Sequence, residues 1–194
     1  RLWYIRAKEA LISSGSIERP LVFGNNDTPG VMLSSAAKEY LKIYGVLAGK
    51  KPLVFTNNDS GYETAIEFKK NGIDPVILDT RKDPSSEIVN EAKSLNIDIK
   101  FSYVVVAAKG YKKVKSADIA KISDDKKQLS QIENINCDCI CVSGFWTPTI
   151  HLASQSGNKT KFNEDIDAFI PGQSKQNETV LGSAKGIFTL EETL

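Results

Sequence analysis

The sequence predicts an α/β fold in which a unit with parallel strands is threaded into a second, interrupted domain. Two observations carry that prediction. Lys51 to Thr80, KPLVFTNNDSGYETAIEFKKNGIDPVILDT, reads as strand, turn, helix, strand within about thirty residues, the span of one βαβ unit. The second observation is that two strand ends share one pattern. Leu11-Ile-Ser-Ser-Gly15 is followed by Pro20, and Ile140-Cys-Val-Ser-Gly144 by Pro148. The chain is expected to leave one domain at the first of these turns and to return to it at the second.

Within the βαβ unit, Pro52-Leu-Val-Phe55 is a short apolar run and Thr56-Asn-Asn-Asp-Ser60 a turn. Tyr62, Ala65, Ile66 and Phe68 fall on one helical face. Asn71-Gly72 stops the helix, and Val76-Ile-Leu78 is a second buried run ending at Asp79. The two strands should be parallel, joined by a right-handed crossover. An acidic residue about twenty positions past the turn is where a Rossmann unit holds a ribose hydroxyl, so Asp79 is a candidate cofactor contact. Its competing description is a solvated strand end paired with Arg81.

The turn departs from the dinucleotide fingerprint, which asks for G-x-G-x-x-G so that bare backbone can meet a pyrophosphate. Asn57-Asn-Asp-Ser-Gly61 has a single glycine. An Asp59 carboxylate acting as N-cap would lie on the amides a phosphate needs. This unit is therefore expected to be Rossmann-like in fold and degenerate as a binding site.

Outside it, Ala10 to Gly15 reads as a buried strand, and 16–30 as an irregular crossing. Leu33, Ala36, Ala37, Tyr40, Leu41 and Tyr44 share a helical face closed by Gly45. A further helix starts near Asp83 or Ser85, with Ile88, Ala92 and Leu95 inward. Tyr103 to Ala108 and Val114 to Ile122 form a hairpin about Lys109-Gly110-Tyr111, and Asp124 to Lys127 is a solvated turn. Cys137 to Gly144 is another buried strand. The expected division is 1–47 and 137–194 in one domain and 48–136 in the inserted one.

Composition excludes several classes. Basic and acidic residues number 25 against 24, which leaves no electrostatic footprint for nucleic acid or an anionic membrane. Apolar content of 41% supports an ordinary core, and no apolar run approaches a transmembrane length. The 194-residue chain opens at Arg1 without initiator Met or signal peptide and closes on a helix-like 189–194, so it reads as a cytoplasmic piece of a longer polypeptide. Sequons at Asn26, Asn58, Asn158 and Asn177 are then chance matches. Cys137, Cys139 and Cys141 alternate and should share one strand face. They are read as small core hydrophobes rather than metal ligands, since same-face neighbours sit roughly 6.5–7 Å apart with no fourth ligand near. No catalytic or metal residue is assigned. His151 has no carboxylate or nucleophile beside it in sequence, and Phe145-Trp146 is read as packing before nicotinamide stacking. C-x-x-C, H-E-x-x-H, P-loop and G-x-S-x-G patterns are missing from the sequence.

Several stretches resemble the alpha subunit of heterotetrameric sarcosine oxidase. They are Ser16-Ile-Glu-Arg-Pro-Leu-Val-Phe23, Pro29-Gly-Val-Met32, Val54-Phe-Thr-Asn-Asn-Asp-Ser60, His151-Leu-Ala-Ser-Gln-Ser-Gly157 and Leu181-Gly-Ser-Ala-Lys-Gly186. The small-small-Gly turns Ser13-Ser-Gly15 and Val142-Ser-Gly144 are similar to the domain crossings of the two-dinucleotide-domain flavoprotein oxidoreductases. The resemblance implies a Rossmann-like nucleotide-binding domain inserted into a partial FAD/NAD(P)-binding domain. It implies NAD in this subunit, FAD and FMN in the wider complex, and beta, gamma and delta subunits as partners. The implied reaction oxidises sarcosine to glycine, forms hydrogen peroxide and passes the one-carbon unit to tetrahydrofolate. The implied dinucleotide cradle is Val180 to Thr189, with Gly182, Ile187 and Thr189 leading, Ala184 next, and Ser14 and Gly15 at the crossing. Two alternatives stay open: a ligand-free Rossmann-like scaffold for subunit contacts, and a stand-alone NAD(P)H-dependent reductase.

Overall fold

The computed structural model describes residues 1–125 and 127–189, in two units: Glu18–Phe145, and Arg1–Ile17 together with the residues from Trp146 onward. Helix formation over 189–194 lies outside the described residues beyond Thr189.

In Glu18–Phe145 the strands β3 (Val31–Leu33), β4 (Pro52–Thr56), β5 (Val76–Asp79), β6 (Asp98–Phe101) and β10 (Cys139–Ser143) make one parallel sheet in the order β3-β10-β4-β5-β6. The helices α1 (Ser34–Tyr44), α2 (Ser60–Lys70) and α3 (Glu87–Ser94) connect successive strands. The antiparallel strands β7 (Tyr103–Lys109), β8 (Ser116–Lys121) and β9 (Glu133–Asn136) make a second sheet. Both faces of the parallel sheet are covered, which is why its central strands are apolar runs rather than alternations. Val54 and Ile77 pack with Tyr62, Ala65, Phe68 and Val89 on the helical side. Leu53, Phe55 and Leu78 pack with Val105, Ala117 and Ile119 on the other. Ser102, in the left-handed region at φ 58°, turns the chain from one sheet into the next.

The other unit holds β1 (Ala10–Ile12), β2 (Ser16–Glu18, reaching the next unit at its last residue), β11 (Trp146–Pro148), α4 (His151–Gln155), β12 (Thr160–Asn163), β13 (Ala168–Pro171) and β14 (Glu178–Val180). β1 pairs in parallel with β14, β12 pairs with β13 as an antiparallel hairpin, and β2 and β11 form a further two-stranded sheet. Ala153, Val180 and Ala184 form its small core, with Ile12 against them.

Several expectations need correction. The strand 139–143 belongs to the inserted parallel sheet, beside β4, and not to the sheet containing residues 10–12. The boundaries therefore fall at 17/18 and 145/146 rather than 47/48 and 136/137. The reason is pairing: β3 also joins this sheet, bringing α1 with it into the unit, so the extent of the unit cannot be read from the βαβ motif alone. Leu11 is 69% exposed, so β1 is not a buried strand. Tyr40 and Tyr44 meet at a tilt on the surface, while Ser34, Ala37 and Leu41 form the inner face of α1. The α3 N-cap is Ser86. Cys139 and Cys141 face the helices, whereas Cys137 precedes β10 and packs on the opposite side.

Candidate functional sites

Two places carry the predicted site residues, one in each unit. The first is the turn between β4 and α2. From β4 the chain proceeds outward through β5 and β6, then returns to β10 on β4's other side. The strand order thus reverses between β4 and β10, the position at which open α/β sheets bind ligands, at the carboxyl ends of the strands. Thr56 and Ser143 lie opposite each other there.

That crevice is crossed by one side chain. Asn58 Nδ2 donates to Ser143 O at 3.1 Å, to Ser143 Oγ at 3.2 Å and to Asn57 Oδ1 at 2.9 Å. Its Oδ1 accepts from Ser60 N at 2.9 Å and from Ser60 Oγ. The Ser60 amide must donate, which fixes the orientation of the carboxamide. Asn58 N is bonded to Thr56 Oγ1 at 3.1 Å, and Asn57 N to Ser143 O at 3.3 Å. The group on the helix amide is therefore the Asn58 carboxamide and not the Asp59 carboxylate. Asp59 makes no cap hydrogen bond; its Oδ1 instead forms an ion pair with Arg81 Nη1 at 2.7 Å. The sequence signal for this was present. Asn at that position closes an Asx turn onto the amide two residues ahead.

Gly61 retains the third glycine's role. A Cβ there would lie 2.6 Å from Thr56 Cβ, so its absence lets α2 sit directly on β4. The same need for bare backbone explains Gly144, where a Cβ would meet Arg19 O at 2.8 Å.

Asp79 is fully buried rather than solvated at its strand end. It accepts from Tyr62 Oη at 2.7 Å, from Arg81 N at 2.8 Å and from the Arg81 guanidinium at 2.8–3.2 Å. The pairing with Arg81 is present, and it leaves the carboxylate enclosed and engaged, without the open face a ribose hydroxyl requires. Burial, reinforced by the bond to Asp79, pushes the Tyr62 hydroxyl up, keeping it a donor. Burial alone would lower Arg81, but Asp79 and then Asp59 hold its guanidinium above its ordinary range.

The second place lies at the ends of β1 and β14. Val180 is opposite Ile12, and Leu181 N extends the ladder to Ile12 O at 2.9 Å. Gly182 follows in the left-handed region at φ 60°, opening a single 3-10 turn, Gly182–Lys185, closed by Gly186 at φ 88°. Ile187 N bonds back to Gly182 O at 3.3 Å. Ser14 Oγ donates to Thr149 O at 2.8 Å, and Thr149 N donates to Gly15 O at 2.9 Å. Ser14, Gly15 and Gly182 thus gather at the carboxyl end of one parallel strand pair, with Ile187 half-buried and Thr189 exposed beyond the turn. Ala184 is fully buried, and its methyl packs into the core. The turn is a single 3-10 turn, so any ligand here would rely on nearby amides rather than a helix dipole.

His151 is exposed at the first position of α4, and Phe145 and Trp146 are half-buried. Cys139 and Cys141 bring their sulfurs to 3.6 Å, closer than the strand spacing suggested. The contact with Cys139 and burial push the Cys141 thiol well up, and burial pushes Cys137 up to about 12. Among the described residues no group of three His, Cys, Asp or Glu could hold a metal ion, and no helix is long and apolar enough to cross a membrane.

No protein-family model matches the chain. Sarcosine oxidase subunit alpha of Corynebacterium sp. (strain P-1) is 32% identical over 196 residues, covering 100% of this chain and 20% of that subunit. The subunit of the same name from Rhizobium meliloti (strain 1021) is 37% identical over 186 residues, 95% of this chain and 18% of that one. Among solved structures, thioredoxin reductase of T. acidophilum superposes with a TM-score of 0.73 at 16% identity, over 96% of this chain and 61% of that one. L-proline dehydrogenase from P. horikoshii gives 0.59 at 22% identity, over 92% of this chain and 30% of that one. These structures show the fold: α/β, a Rossmann-like unit inserted into part of a second nucleotide-binding-type domain. The chain spans about a fifth of the length of the curated relatives, and along its whole extent it is related to the alpha subunits of sarcosine oxidase.

Proposed function

We propose that this chain is a section of the NAD-binding alpha subunit of a sarcosine oxidase-type flavoenzyme. The observation that carries the proposal is relatedness at 31–37% identity to subunits of that name along essentially the whole chain. In the proposed reaction, sarcosine, oxygen and tetrahydrofolate give glycine, hydrogen peroxide and a methylene group on the folate. The section supplies no catalytic residue. FAD and FMN belong to the wider complex, beta, gamma and delta subunits are its partners, and the cytoplasm is its location.

NAD is assigned to the unit formed by 1–17 and 146–189. The residues there fit a pyrophosphate contacted through backbone: Gly182 presents no side chain, its φ suits glycine, and Ser14 and Gly15 lie at the end of the strand alongside. NAD would supply a nicotinamide and an adenosine anchor there, and Gly182, Ile187 and Thr189 would position them. The test uses the complete alpha subunit in its native complex, with released NAD counted per chain. Gly182→Val places a branched side chain at the strand end. It should lower NAD content at least tenfold while flavin content is retained. Undiminished NAD in a folded Gly182→Val complex would overturn the assignment. Oxygen consumption with sarcosine against N-methyl amines lacking a carboxylate tests the substrate.

The scaffold reading is favoured for Glu18–Phe145 by the bonded state of its crevice. That unit's proposed contribution is structural.

A further inference from the structure

We infer that the Asn58 carboxamide is a built-in ligand of the inserted unit, filling the place of a pyrophosphate and keeping that crevice closed to nucleotides. The inference concerns Glu18–Phe145 alone and does not depend on where NAD binds.

A pyrophosphate in this fold is held by the amides of the first strand's turn, and the second fingerprint glycine leaves room for it. Aligned on Gly61 as the third glycine, the second position is Asn58. Its side chain does two things that a bare backbone would not. It bonds the Ser60 amide, at the start of α2, with a carbonyl oxygen in place of a phosphate oxygen. It also ties β4's turn to the end of β10 through Ser143 O and Oγ. Two further amides are already bonded within the protein, Asn57 N to Ser143 O and Asn58 N to Thr56 Oγ1. A phosphate would have to displace all three acceptors and leave Asn58, 6% exposed, without its partners.

The carboxamide suits this task because it is neutral and amphoteric. Both its hydrogens and both its oxygen lone pairs are used, an economy neither Asp nor Ser matches. Charge at the rim points the same way. The Arg81 guanidinium is held between Asp79 and Asp59, so it is not available to draw in a phosphate.

Hydrogen exchange by mass spectrometry on the complete alpha subunit in its complex tests the inference. Peptides covering 54–62 in the wild type should show unchanged protection when NAD, NADH or NADPH is added to millimolar concentration. In Asn58→Gly the same peptides should exchange roughly tenfold to a hundredfold faster, the range set by losing buried hydrogen bonds. They should then regain protection on addition of nucleotide. Asn58→Ala is the second variant, should the glycine variant not fold. Nucleotide-dependent protection of 54–62 in the wild type would overturn the inference. So would a folded Asn58 variant whose turn gains no protection from any of the three nucleotides.

Discussion

Replacing Gly61 by Ala should destabilise the protein although it adds a good helix former to α2. The added Cβ would sit 2.6 Å from Thr56 Cβ, 2.7 Å from its Oγ1 and 3.1 Å from its Cγ2. The Cβ of Thr56 is fixed to a buried central strand, so no rotamer change of Thr56 removes the 2.6 Å approach. Relief requires α2 and β4 to part by roughly 1 Å, and overpacking of this kind costs about 1–3 kcal/mol. Ala in place of Gly returns about 0.5–1 kcal/mol through helix propensity. The net expectation is a loss of about 1–2 kcal/mol, measured as a shift in urea midpoint at constant m. The sharper test is the same substitution in a Thr56→Gly background, where the opposing Cβ is gone. There Gly61→Ala should become neutral or stabilising, giving a coupling energy of about 1–3 kcal/mol. An equal cost in both backgrounds would refute the steric account of why this glycine is present.

Arg81→Ala should cost roughly 2–3 kcal/mol, the discounted cost of stripping a partly exposed guanidinium from an enclosed carboxylate; an unchanged unfolding midpoint would show that Asp79 needs only Tyr62 and the amide. Asp118 is held below the ordinary carboxylate range by Asn134 Nδ2 and then by Lys109. A depressed folded pKa gives stability that is present above the unfolded value and lost as pH falls through the folded one. Asp118→Asn should therefore lower stability at neutral pH, with the difference from wild type vanishing at low pH; a constant difference would exclude this linkage. The three cysteines are free and buried, with Cys137 pushed up to about 12. A thiol reagent should modify them only on unfolding, whereas rapid native-state labelling would contradict their core placement.

What could be read from the sequence follows from how local each interaction is. The βαβ unit was legible because its pattern lies within about thirty residues and each helix stop is made by its neighbours, as at Gly45 and Asn71-Gly72. Strand membership was not, because β10 and β3 acquire their place only by pairing with strands far away in sequence. Two strands with the same Ser-Gly ending consequently lie in different sheets. The resemblance to a family was legible from short runs of residues, since identity survives where spacing alone says little. The chemistry of the turn was half legible. Its single glycine marked it as a poor phosphate site, but charge suggested Asp59 as the obstruction. The geometry gives that place to Asn58, because Arg81 draws the Asp59 carboxylate aside while the neutral carboxamide can both accept from Ser60 and donate to Ser143. An acid at position 58 could accept from Ser60 but would set a carboxylate against the Ser143 carbonyl. The closing of this crevice therefore depends on a side chain that donates and accepts at once, a property that a count of charges along the chain does not register.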